Sequence, residues 1–181
     1  VWRDDHGHIL IIGTHVDDTK AITNYQPVLD ALLKHIKTKF PIQDLEELSY
    51  FLSIEYKIDR DTGTVNMSQN AAIEQLCEEL NVDKNRAKSV PINPTALIEP
   101  YDGKSSEAFT KSYQSKVAKA IYLSKCMPGI SYAVSKLSSF SSNPGPLHMK
   151  LLDNYLLPYI CSDEAKKGIT FSYRACHDGE I

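Results

Sequence analysis

An α+β fold follows from three features of the sequence. Short β-branched and aromatic runs separated by turn residues occupy the first 70 positions. A single amphipathic helix period interrupts them between residues 26 and 40, and helical periodicity dominates beyond about residue 110. At 181 residues and 42% hydrophobic content the chain can bury one compact core, or two small subdomains sharing a seam.

Asp4-Asp5-His6-Gly7 is turn chemistry that feeds the apolar run Ile9 to Ile12, a strand. A second strand is expected at Thr19 to Ile22, with Gly13-Thr14-His15-Val16-Asp17-Asp18 between them. From Gln26 to Phe40 the residues Val28, Leu29, Leu32, Leu33, Ile36 and Phe40 recur at three- and four-residue spacing, which makes an amphipathic helix that Pro41 ends. Asp44 starts a short capped turn into a strand at Tyr50 to Tyr56, and Asp61-Thr62-Gly63 turns that strand into Thr64 to Ser68. Ile73, Leu76, Cys77 and Leu80 carry a helix from about Gln69 to Leu80.

Residues 83–110 hold Pro91, Pro94, Pro100 and Gly103 with few apolar anchors and read as a linker. Helices follow at Tyr113 to Lys125 and Ile130 to Phe140, broken at Pro128-Gly129. Asn143 to Pro146 separates a further helix, starting at His148 and interrupted at Pro158, from what precedes it. A strand at Gly168 to Tyr173 comes last. The expected organisation is therefore 1–82 with the hairpins, 83–110 as linker, and 111–181 mainly helical.

Twenty basic and 23 acidic residues give a net charge of -3, so any attraction for a polyanion must be local. The four cysteines, Cys77, Cys126, Cys161 and Cys176, form no CxxC pair and match no zinc-ligand spacing, which suggests buried free thiols in a reducing compartment. No stretch approaches the roughly twenty apolar residues of a membrane span, and the first residues form no secretory signal. An intracellular chain without membrane contact is expected.

Asp17-Asp18 is the feature with chemistry in it. A tight turn between two strands can hold carboxylate oxygens at a sheet edge, and such oxygens suit Mg²⁺, a hard cation that also takes water and substrate phosphate. Two divalent ions so held lower the pKa of an attacking hydroxyl and neutralise charge on a leaving pyrophosphate. Two adjacent aspartates are too few to build that site unaided. Taken alone the pair reads more readily as a solvated hairpin turn than as a metal site.

The segments around it narrow this choice. His15-Val16-Asp17-Asp18 resembles the tyrosine-x-Asp-Asp box of reverse transcriptases, and copia-type elements carry valine before the aspartates. Phe40 to Glu55 is similar to that family's F-x-x-x-D-L-G-E-L-x-Y-F-L-G-I-E, Val65 to Gln69 to its I-x-L-S-Q, and Ser89 to Ile92 to its S-T-P-L. Tyr113 to Leu123, Pro128 to Val134 and Ser138 to His148 resemble three later segments in the same order. Seven ordered segments cover nearly the whole chain.

The resemblance to the Ty1/copia-type retrotransposon reverse transcriptases implies a right-hand polymerase, with this hairpin in the palm and the later helices in thumb and connection, leading toward a ribonuclease H domain. It implies that Asp17 and Asp18 are catalytic and ligate Mg²⁺, with His15 and Val16 beside the primer terminus and incoming nucleotide. Its partners would be an RNA template, a DNA primer and the rest of the pol polyprotein. The parent element would work in a cytoplasmic particle and the nucleus. The first metal-binding aspartate of such a polymerase lies upstream of the hairpin, so a fragment inactive by itself is expected.

Departures from the pattern motivate an alternative, a non-catalytic remnant that at most binds nucleic acid or a protein. His15 replaces the tyrosine, Glu46, Ser53 and Ala118 stand at glycine positions, Gly129 replaces an aspartate, and Pro158 lies in a helical segment. A different metal-dependent phosphotransferase built on Asp17-Asp18 is a third possibility. Elsewhere, His6 and His8 are expected in an exposed turn rather than around a metal. Lys34, Lys37 and Lys39, and Lys111, Lys116, Lys119 and Lys125, are read as solvated helix faces rather than a phosphate track. Tyr50, Tyr56, Tyr122 and Tyr132 fall at apolar positions and are expected in the core.

Overall fold

The structure, a computed structural model, describes residues 1–83 and 88–173. It is α+β, with antiparallel sheets and helices, and divides into two units, residues 1–52 and 53–181.

In the first unit, β1 (Trp2–Arg3), β2 (Ile9–His15) and β3 (Asp18–Thr23) form an antiparallel sheet in that order. The turn before β2 is held by Asp4, whose carboxylate accepts from the His6 and His8 amides at 3.0 and 2.9 Å and meets His8 Nδ1 at 2.7 Å. The His8 ring in turn stacks on Tyr25 at 3.9 Å. Helix α1 (Gln26–Lys37) starts with Pro27 in its first turn, where a missing N–H costs nothing. Its apolar face of Val28, Leu29, Leu32, Leu33 and Ile36 is only half-buried. The short strand β4 (Tyr50–Phe51) closes the unit.

Glu46, Leu52 and Ser53 all adopt positive φ, at 61°, 51° and 59°. The single strand expected across 50–56 is therefore cut in two, because consecutive left-handed residues cannot continue a pleat. Asp44 does cap a turn, its Oδ1 accepting from the Glu46 amide at 3.1 Å.

In the second unit, β5 (Ile54–Asp59), β6 (Thr64–Ser68) and β7 (Ile169–Ser172) pair antiparallel in sequence. The β5–β6 turn is built by Asp59, which accepts from the Asp61 and Thr62 amides, and by Gly63 at φ 63°. Gly168 enters β7 at φ 70°, and a Cβ there would lie 2.1 Å from the Met67 carbonyl oxygen, so only glycine lets the last strand reach β6.

Helix α2 (Asn70–Glu79) follows β6, and from residue 88 irregular chain runs up to the N-cap Ser106 of α3 (Glu107–Leu123). That helix starts six residues before its apolar period, since the hydroxyl of Ser106 accepts from the Phe109 amide and supplies the start signal. A 3₁₀ turn (Pro128–Ile130) leads into α4 (Ser131–Ser138). Then come α5 (Pro146–Leu151), a π-helical stretch (Leu152–Leu156), α6 (Leu157–Ile160) and α7 (Asp163–Lys166).

The interruption expected at Pro158 does not occur. Pro158 stands in the first turn of α6, and the π-helical stretch before it shifts the hydrogen-bond register where the proline cannot donate.

The core of this unit gathers Ile73, Leu76, Tyr113, Val117, Ile130, Leu137, Leu152, Leu156 and Ile160, among others. Burial raises the Tyr113 phenol well above its ordinary range, so it stays a donor, 2.8 Å from the Leu137 carbonyl. His148 is also buried. Its Nδ1 accepts from the Gly145 amide at 2.8 Å, its Nε2 lies 2.9 Å from the Glu99 carbonyl, and Phe140 stacks on it. Through Glu99 it ties the irregular chain to α5.

Two sequence expectations about side chains fail here. Tyr50 and Tyr132 are 55% and 72% exposed rather than in the core, because Phe51 and Ala133-Val134 take the inward positions beside them. Cys77 and Cys161 form a disulfide instead of remaining free thiols, since the fold brings two positions 84 residues apart to a Cα separation of 6.1 Å. Cys126 is a buried free thiol, and Cys176 lies outside the described residues.

Candidate active-site hairpin

Six residue pairs align β2 with β3, from Leu10 opposite Thr23 to His15 opposite Asp18. Val16 and Asp17 are thus a two-residue hairpin loop, and this register fixes the positions of all four residues of the box. Two-residue hairpins favour mirror-image turns that need positive φ at the first loop position, normally glycine. Val16 occupies it at φ 52°. For a β-branched residue this is a strained conformation, of the kind held where the surroundings impose it.

Immediately beneath the turn the Thr19 hydroxyl donates to that of Thr14 at 3.2 Å, a cross-strand bond that the sequence reading missed. Two hydroxyl residues flanking an Asp-Asp turn at matched distance were the available signal. Lys20 lies over the Phe51 ring, 4.8 Å from its centroid.

His15, Val16, Asp17 and Asp18 are all exposed, Val16 by 81%. Among the described residues, neither side-chain carboxylate takes a hydrogen bond or ion pair. Their oxygens are the correct donor type for a hard divalent cation. Yet among the described residues no three His, Cys, Asp or Glu side chains come together as a metal-holding group. The donor set is therefore two adjacent carboxylates, short of what a two-ion site requires.

The other candidates resolve into ordinary contacts. Lys111 pairs with Glu107, Lys116 with Asp153 at 2.7 Å and Lys119 with Glu79, while Lys125 lies over the Tyr122 ring. These cations neutralise carboxylates or sit on an aromatic face instead of lining a phosphate track. No helix among the described residues is long and apolar enough to cross a membrane.

A strained Asp-Asp hairpin on an antiparallel sheet, in an α+β chain, is the context in which the comparisons with known proteins fall. Residues 2–94 match the family described as reverse transcriptase (RNA-dependent DNA polymerase), and the chain belongs to that family.

Its similar proteins are copia-type retrotransposon products. It is 30% identical over 177 residues to the retrovirus-related Pol polyprotein from transposon RE1 of Arabidopsis thaliana, and 27% identical over 177 residues to that from transposon RE2. The Pol polyprotein from transposon TNT 1-94 of Nicotiana tabacum is 24% identical over 169 residues. These alignments cover 95%, 95% and 87% of this chain but only 12% of each relative. No solved structure matches the chain.

Proposed function

We propose that this chain is the C-terminal palm with the thumb and connection part of a copia-type reverse transcriptase, and that Asp17 and Asp18 are the carboxylates it contributes to a Mg²⁺-dependent nucleotidyl-transfer site. The observation that carries this reading is the two-residue hairpin, which puts both carboxylates at an exposed sheet end with Val16 strained between His15 and Asp17. Family membership supplies the chemical class. In this reading His15 and Val16 face the primer terminus, and RNA template and DNA primer are the substrates. Mg²⁺ would supply charge neutralisation at the transferred phosphate, and the chain's own share is to present the two carboxylates at a fixed register.

A site of two carboxylates cannot hold the ions alone, so the chain by itself is inactive and a further carboxylate comes from elsewhere in the longer polyprotein. The test is primer extension on an RNA template with Mg²⁺. A polyprotein carrying this chain extends, Asp17→Asn lowers the rate on the order of a hundredfold or more, and the isolated chain does not extend.

One observation favours the second reading, a non-catalytic remnant. Glu46 and Ser53, which stand where the family pattern has glycine, both sit at positive φ, so the backbone retains the glycine conformation while the side chains oppose it. Failure of the complete polyprotein to extend any primer would select this reading and discard the first.

A further inference from the structure

We propose that Cys77 and Cys161 are a reversible redox staple of the second unit, closed by exchange with a small disulfide such as glutathione disulfide. The pair links the last turn of α2 to the residue that ends α6, with a Cα separation of 6.1 Å that lies inside the range a disulfide spans. Both residues belong to the core and are only 3% and 4% exposed. Their separation of 84 positions encloses the irregular chain, α3, α4 and α5, so the bond constrains most of the unfolded unit. Zinc binding does not account for the pair, because no third ligand accompanies it among the described residues.

Closure takes two exchanges. One of the two cysteine thiolates attacks a sulfur of glutathione disulfide, forming a mixed disulfide and releasing one glutathione thiolate. The second cysteine thiolate then attacks the protein sulfur of that mixed disulfide, which forms the Cys77–Cys161 bond and expels the second glutathione. Two protein thiols are oxidised, one glutathione disulfide is reduced to two glutathiones, and the protons lost by the cysteines end on the released thiolates.

Cys126 does not compete. It is buried, and that burial raises its thiol above the ordinary range, keeping it protonated and a poor nucleophile. Because the bonded sulfurs lie in the core, neither oxidant nor reductant reaches them until α2 lifts from the helices packed on it. The staple is therefore slow to form and slow to open in the folded chain, and it holds its state through short changes in redox conditions.

The full 181-residue chain can be equilibrated with glutathione disulfide or with dithiothreitol, then denatured in an alkylating reagent and mapped by mass spectrometry. Two alkylated cysteines are expected after oxidation and four after reduction, with Cys77 and Cys161 in one cross-linked peptide. The oxidised chain should melt on the order of 10 °C above the reduced one, and Cys77→Ala/Cys161→Ala should melt identically under both conditions. Native-state reduction should accelerate with denaturant in step with unfolding.

Four alkylated cysteines after oxidation would overturn the proposal, as would a bridge through Cys126 or Cys176 or a glutathione adduct alone. Immediate reduction of the native chain would overturn its burial within the core. If the double variant does not fold, the thiol count and peptide map of the unmodified chain decide the matter.

Discussion

The two units bury their apolar residues very differently. Residues 1–52 contain five half-buried apolar side chains on α1 and leave Ile11, Ile12, Ile22 and Phe40 exposed, with Leu10 and Phe51 the only buried hydrophobics. The second unit places residues from eight of its helical segments in one cluster, many of them with no exposure at all, and adds a disulfide within it. Amphipathic periodicity is stronger in α1 than in α3, yet α3 is the helix that is buried, so period alone does not predict burial. What differs is whether a second apolar surface lies opposite.

Truncation should expose the difference most. Leu152→Ala removes a side chain from a fully enclosed site and is expected to cost about 2–5 kcal/mol, transfer and cavity terms together. Leu32→Ala removes the same atoms from a half-buried face and is expected to cost about 1 kcal/mol or less. Denaturant titration separates the two, because Trp2, the only tryptophan, reports on the first unit while helix ellipticity is dominated by the second. Equal costs for the two truncations would mean that α1 is buried in solution, and the contrast would be lost.

Much of this architecture was legible in the sequence, for a reason that also sets the limit. Strands β2, β3 and β6, helix α2, the β5–β6 turn and the final strand are specified by residues adjacent in sequence, such as Asp59 and Gly63, and their positions emerged within a few residues. The Asp-Asp turn was equally local. The Cys77–Cys161 pair depends on the packing of segments 84 residues apart, and the exposure of Tyr132 on which face of α4 met the core. Neither leaves a mark at short range. The helical path through Pro158 required a π-helical register shift that no local propensity announces.

Backbone strain gives the next prediction, smaller in size and confined to the first unit and its boundary. Val16, Glu46 and Ser53 occupy left-handed conformations that cost an L-residue roughly 1–2 kcal/mol, part of which glycine returns as unfolded-state entropy. Val16→Gly should stabilise by about 0.5–1 kcal/mol and Glu46→Gly by about 0.5 kcal/mol in the Trp2-monitored transition, and Ser53→Gly by about 0.5 kcal/mol in the helical signal of the second unit. Destabilisation by all three would show that these residues do not hold positive φ in solution. For Val16 the measurement also bears on function. A stabilised Val16→Gly polyprotein that extends primers more slowly would tie the strain to placement of the carboxylates, whereas an unchanged rate would make the strain incidental to catalysis.

The smallest effect expected is electrostatic and again separates the units. Partial burial pushes the Asp4 carboxyl up, but the His8 and His6 amides and the His8 ring outweigh it and hold the group below its ordinary value. A carboxylate depressed in the folded state stabilises above its unfolded pKa, about 3.9 for aspartate, and that contribution disappears as pH falls through the folded value. Asp4→Asn should therefore lower the stability of the first unit at about pH 5, and the gap should close as pH falls through the folded-state value of Asp4 and its carboxyl becomes neutral. Trp2 fluorescence should register this convergence while the helical signal of the second unit does not. A stability gap that persists unchanged at the acid end would mean that Asp4 acts through the geometry of its turn, accepting the two amides as well when protonated, and not through its charge.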